Sequence, residues 1–156
     1  MIVSWGAAIA LLGAGIGAGL ASVGSAIGVG IAGEAAAGVQ REKPELGAMA
    51  LIMQALPGTQ GFYGFVAMFL GLAKIAKSIG TMDIGTGIAI FAAFIPVMVA
   101  ELMSGVWQGK ASAAALQMVA RRQELAGRAI IIPAIVETYA LVGLLATIIM
   151  LNNVKI

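Results

Sequence analysis

The sequence predicts an all-α membrane protein of four transmembrane helices arranged as two tandem hairpins, residues 1–78 and 79–156. Three observations carry this expectation. The 156 residues are 61% hydrophobic and only 10% charged, and the mean hydropathy is +1.04, far outside the range of a water-soluble domain of this size. Spanning a bilayer takes roughly 20 apolar residues at ~1.5 Å each, and four stretches satisfy or nearly satisfy that length once one internal acid is excused. The second half of the chain repeats the first.

The first stretch runs from about Val3 to Val39. It lacks the basic n-region of a signal peptide and continues without charge from Ile2 to Gly33, so it reads as a retained helix. Gly13, Gly15, Gly17, Gly19, Gly24, Gly28, Gly30 and Gly33 give it small-xxx-small pairs on more than one face. So much glycine suits close contact with several neighbouring helices, or packing within a single bundle. Gly28 to Gly33 also matches G-x-G-x-x-G, but no strand precedes it, so a nucleotide site is not expected. The second stretch, Leu46 to Ile75, carries Pro57, which removes the helical partner of the Met53 carbonyl and distorts the turn. The third covers Ile84 to Val119 and the fourth Ala129 to Leu151.

The connections are short and polar: Gln40 to Glu45, Ala76 to Asp83, and Ala120 to Arg128. Arg41, Lys43, Arg121, Arg122 and Arg128 flank the first and third, whereas Lys74, Lys77 and Lys155 lie towards the other side. The positive-inside rule then makes connections 1–2 and 3–4 cytoplasmic and both termini external, in a multi-pass protein of the cell membrane.

Sliding Glu45–Gly64 by 79 residues onto Glu124–Gly143 aligns Glu45/Glu124, Leu46/Leu125, Ala50/Ala129, Ile52/Ile131, Ala55/Ala134, Thr59/Thr138 and Gly64/Gly143. In this register Gly58 lies opposite Glu137, so only the second copy keeps an acid. A shift of 76 pairs Ala32–Ala35 with Gln108–Ala111, which brings Glu34 and Lys110 into register at helix ends suited to solvation or to docking a stalk. An even number of spans per copy gives both copies the same orientation, unlike the inverted repeats of many secondary transporters.

Cysteine and histidine are both absent, which excludes disulfides, thiolate nucleophiles, imidazole bases and the usual zinc or copper sites. The basic residues are scattered rather than gathered into a patch, so nucleic acid is excluded as a partner. The nine methionines and five phenylalanines read as core filler or lipid-facing surface.

The polar residues inside the apolar stretches are few. Glu137 lies roughly ten residues, or ~15 Å, inside the fourth helix, close to mid-membrane. An ionisable group there costs at least ~2.5 kcal/mol and usually marks an ion or proton path. Leu56, Thr59, Gln60 and Tyr63 follow i, i+3, i+4, i+7 spacing at similar depth, and Gln108 matches that depth in the third helix. Each amide or hydroxyl alone would serve as an interhelical hydrogen bond. Together they supply more oxygens than a proton needs and suit a small hard cation such as Na+.

These residues carry a family resemblance. Leu56–Gly64 (LPGTQGFYG), Trp107–Lys110 (WQGK) and Val136–Ala140 (VETYA) make the chain resemble the duplicated proteolipid, the K or c subunit, of V-type and A-type rotary ATPases, especially sodium-translocating bacterial members. The resemblance implies a homo-oligomeric rotor ring, non-catalytic in itself and needing no cofactor, that carries Na+ or H+ while ATP is hydrolysed elsewhere. It implies Na+ ligands from the Glu137 carboxylate, the side chains of Thr59, Gln60 and Gln108, and the Leu56 carbonyl, with Tyr63 hydrogen-bonding Glu137 to hold the site closed. It implies as partners further copies of the chain, a membrane stator subunit supplying an arginine, a rotor stalk and the bilayer. Glu101, two turns before Gln108, departs from the pattern. It could face the ring interior, pair with a neighbour or stay protonated. Two other classes remain open: a small four-helix cation-coupled exporter, and a purely structural bundle in which Glu137 only glues helices.

Overall fold

The computed structural model describes residues 3–156; the first two residues, to which the assignment of an external N-terminus extends, lie outside them. The chain is helical in six segments: α1 (Trp5–Glu42), α2 (Gly47–Ala55), α3 (Thr59–Ile75), α4 (Ile84–Ala93), α5 (Ile95–Arg121) and α6 (Ala126–Asn153). They stack into four rods, with α2–α3 and α4–α5 each forming one broken rod. The helices Trp5–Glu42, Ile84–Arg121 and Gln123–Asn153 are long and apolar enough to cross a membrane.

The second rod is not continuous. A 3-10 turn over Leu56–Gly58 separates α2 from α3, because Pro57 lacks an N–H and its ring crowds the preceding turn. The third rod also breaks, at Phe94, ahead of Pro96, a break the hydropathy pattern alone does not signal. The backbone N–H of Val97 donates to Thr147 Oγ1 of α6 at 3.1 Å. The Phe94 ring, fully buried, occupies the space left by Gly17 of α1 and Gly71 of α3.

Local signals set the ends. Ser4 caps α1, accepting from the Ala7 N–H at 3.2 Å. The helix stops at Glu42 because Lys43 precedes Pro44, a position that disfavours helical backbone. Asp83 caps α4, its Oδ1 accepting from the Thr86 N–H at 3.0 Å and its Oδ2 from Thr86 Oγ1 at 2.6 Å. These bonds hold the Asp83 carboxyl below the usual carboxylate range. Two contacts order the ends of the bundle. Lys43 Nζ donates to the Ala120 carbonyl, joining the first and third connections at one end, and Ser4 N–H donates to the Ile79 carbonyl at 3.0 Å at the other.

The α1–α5 interface is the most extensive, followed by α5–α6 and α1–α3, so α1 and α5 lie at the centre. Glycine permits this. At Gly24 an added Cβ would stand 2.6 to 2.7 Å from the backbone of Glu101 and Leu102, and at Gly105 it would meet the Gly24 backbone at 2.6 Å. Gly15, Gly19 and Gly30 have nothing within 4 Å, leaving a second small-residue face open. The two halves also share a contact: Gly64 packs on Ala21, and Gly143 packs on Ala100, the same pair displaced by the repeat. Gly24→Ala is expected to lower stability by about 1–3 kcal/mol through overpacking. Gly15→Ala, at an open position, should leave stability equal or raise it by up to ~1 kcal/mol through helix propensity. Thermal unfolding in detergent checks the contrast.

Candidate functional site

Glu137 lies near the middle of α6, a helix of 28 residues, and is half-buried within the chain. Its two carboxylate oxygens are held from different helices. Tyr63 of α3 donates its hydroxyl to Oε1 at 2.6 Å, and Gln108 of α5 donates Nε2 to Oε2 at 3.3 Å.

Gln108 is the hub. It is fully buried, its Nε2 also reaches the Pro133 carbonyl at 3.2 Å, and its Oε1 accepts from Gln60 Nε2 at 2.5 Å. Gln60, equally buried, links α3 to α5, and its Oε1 lies 3.5 Å from Thr59 Oγ1. Thr59 Oγ1 donates to the Leu56 carbonyl at 3.1 Å, and the Thr59 N–H bonds the same oxygen. The 3-10 turn at Pro57 therefore tightens the backbone so that a carbonyl and a hydroxyl sit beside the amide network. The fold brings together all six residues singled out by depth: Leu56, Thr59, Gln60, Tyr63, Gln108 and Glu137.

Two participants carry weak sequence signals or none. The Pro133 carbonyl lies one turn before Glu137, so it shares that face of α6, and the proline within I-I-I-P-A-I-V-E is the available signal. Ser25 Oγ accepts from the Gly61 N–H at 2.7 Å, pinning α1 to the start of α3 next to Gln60. No sequence feature distinguishes Ser25 from other small residues of α1.

Chemically, the arrangement is one carboxyl group bonded by the Tyr63 hydroxyl and the Gln108 amide nitrogen, with the neutral oxygens of Gln60, Thr59 and Leu56 linked to it through Gln108, contributed from three rods. Among the described residues there is no group of three or more His, Cys, Asp or Glu that could hold a metal. A single negative charge with neutral oxygen donors balances one monovalent cation.

The family profile of the ATP synthase C subunit matches this chain twice, over residues 12–71 and 91–150. The chain belongs to the ATP synthase C-subunit family. The two matches are displaced by 79 residues, the offset at which the halves align. Among relatives, the V-type sodium ATPase subunit K of Enterococcus hirae is 40% identical over 121 residues, 78% of this chain and 76% of that protein. The A-type ATP synthase subunit K of Methanocaldococcus jannaschii is 38% identical over 146 residues, 94% of this chain and 58% of that one. The chain thus spans little more than half the archaeal relative's length. Family membership makes it a non-catalytic membrane proteolipid of an ATP-driven or ATP-making machine.

Proposed function

We propose that the chain is the ion-carrying subunit of the rotor ring of a V-type or A-type ATPase and that it moves Na+ by reversible binding at Glu137. The observation that carries the reading is the single carboxylate of Glu137 joined, through Gln108, to neutral oxygen donors on α3 and the Leu56–Gly58 turn. That the Enterococcus hirae relative is named a sodium ATPase subunit supports Na+ over H+. A proton would need the carboxylate and one hydrogen-bond partner, and the buried Gln60–Gln108 pair would then be superfluous.

In this reading Na+ is held by the Glu137 carboxylate, the side chains of Thr59, Gln60 and Gln108, and the Leu56 carbonyl. Tyr63 keeps the carboxylate turned inward while the ion is carried. An empty Glu137 is an anion that lipid rejects, whereas the cation-occupied pair is nearly neutral and crosses the hydrocarbon face. Binding therefore licenses rotation. An arginine from a stator subunit displaces the ion in passing, and a rotor stalk docks on the ring. Each charge moved works against about 2.3 kcal/mol per 100 mV, so one ATP can drive several ions. The large apolar side chains exposed along the rods, such as Phe62, Phe69, Ile135 and Val142, face lipid or neighbouring copies.

The chain is read as two tandem hairpins, residues 1–78 and 79–156, supported by the matched contacts at Gly64 and Gly143. Connections 1–2 and 3–4 are cytoplasmic and both termini external; that Lys43 and Ala120 meet at one end agrees with this sidedness.

The test is the rate at which a carbodiimide labels Glu137 in purified protein. Na+ but not K+ should slow labelling at least tenfold at fixed pH. Labelling that follows pH alone would replace Na+ with H+ as the cargo.

A further inference from the structure

Glu101 has no part in the site described above, yet it is fully buried in α5, and neither carboxyl oxygen has a hydrogen-bond partner. It lies two turns, or ~10 Å, along α5 from Gln108, and its backbone packs directly against Gly24 of α1. Pairing with a neighbouring side chain, one of the roles open to it from sequence, does not occur among the described residues. Exposure to a ring interior does not occur within the protomer either, because the residue is fully buried. The nearby Ser104 Oγ is turned to the Glu101 backbone carbonyl at 3.5 Å, not to the carboxyl.

The surroundings contain nothing cationic. On α1 there is no ionisable side chain before Glu34, and α4 has none. From α3 the ionisable neighbour is Tyr63, and from α6 it is Glu137, which offers only a second negative charge. An unpaired carboxylate in such a place would cost many kcal/mol, whereas neutralising it removes that cost. The donor set also selects the occupant. A sodium ion needs a cage of several oxygens, whereas no side-chain hydroxyl or amide among the described residues hydrogen-bonds this carboxyl. A proton needs one oxygen.

We propose that Glu101 is a second cation-binding position in each protomer, specific for a proton that is retained while the cation at Glu137 exchanges. The protomer then carries a mobile charge at Glu137 and a fixed, neutral acid two turns along α5 from Gln108. Holding Glu101 neutral matters for the first site, because an ionised Glu101 would tighten cation binding at Glu137 and hinder release. With the ~10 Å along α5 from Glu101 to the level of Gln108 taken as the separation, and an effective dielectric of ~20, a unit charge alters affinity roughly tenfold.

Infrared spectroscopy of the purified protein at neutral pH reads the proton directly and does not depend on which ion Glu137 carries. The carbonyl stretch of a protonated carboxylic acid should be present in Glu137→Gln, unchanged by added Na+, and absent when Glu101→Gln is added to that variant. Absence of the band in Glu137→Gln, its persistence in the double variant, or its loss on adding Na+ would overturn the proposal, the last by making Glu101 a sodium site. The second arm rests on the proposed sodium function: Glu101→Gln, the neutral isostere, should leave Na+ affinity within about twofold, and a roughly tenfold weakening would show that Glu101 is ionised. If the glutamine variant does not fold, the wild-type spectrum at saturating Na+ decides the matter. Glu137 is then ion-paired, so a remaining acid band supports Glu101 and its absence refutes it. Failure of Na+ to protect Glu137 from labelling would count against the sodium reading and leave the infrared arm standing.

Discussion

Glu137→Gln is expected to abolish cation transport by the assembled ATPase while the protein still folds. Glutamine keeps the shape of the side chain and one oxygen able to accept from Tyr63, so packing of α6 is preserved. What disappears is the only charge in the network. Neutral oxygens of Thr59, Gln60 and Gln108 cannot replace the electrostatic attraction of a carboxylate in a low-dielectric setting, where losing one member of a buried charge pair costs about 3–5 kcal/mol. That corresponds to a loss of at least a hundredfold in cation affinity. Radioactive sodium uptake into proteoliposomes measures it, with unfolding temperature in detergent as the control. A variant that transports at near the wild-type rate would remove Glu137 from the mechanism. A variant that loses stability and whose wild type shows no ion flux would support the structural bundle instead.

Gln108→Ala has the next largest effect, because one side chain connects three partners. Its removal leaves Gln60 Nε2 without its acceptor and both Glu137 Oε2 and the Pro133 carbonyl without their side-chain donor. Hydrogen bonds to charged groups are worth ~1.5–3 kcal/mol, so Na+ affinity should fall by roughly ten- to a hundredfold. The orphaned amide of Gln60, in a fully buried position, should cost a further ~1–3 kcal/mol of stability. Isothermal titration with Na+ and thermal unfolding separate the two effects. Unchanged Na+ affinity would show that the amides are structural glue; carbodiimide labelling governed by pH alone would show that the carboxylate carries a proton.

Much of this was legible because a membrane simplifies sequence reading. In hydrocarbon, polar side chains are costly, so the few that occur are informative, and a rise of ~1.5 Å per residue converts position into depth. Depth alone aligned Gln60, Gln108 and Glu137, and helical spacing placed Thr59 and Tyr63 beside them. The same logic misses groups that membranes tolerate anywhere. Ser25 and the Pro133 carbonyl are of this kind: a serine and a backbone oxygen are cheap at any depth, and only a partner within bonding distance marks them. The break at Phe94 escaped for a related reason, since hydropathy is blind to backbone direction and the two glycines that receive the ring, Gly17 and Gly71, are remote in sequence.

Composition and period decided the class of protein, the number of rods, the repeat and the position of the lone acid along α6, because these follow from local chemistry summed along a helix. Tertiary structure alone decided which side chain is the hub, which glycine face is used, and what becomes of Glu101. Those depend on the rotation of each helix about its axis. Contacts between glycine backbones set that rotation, bringing α5 onto α1 so that Gln108 faces Glu137 and Glu101 is enclosed without a partner.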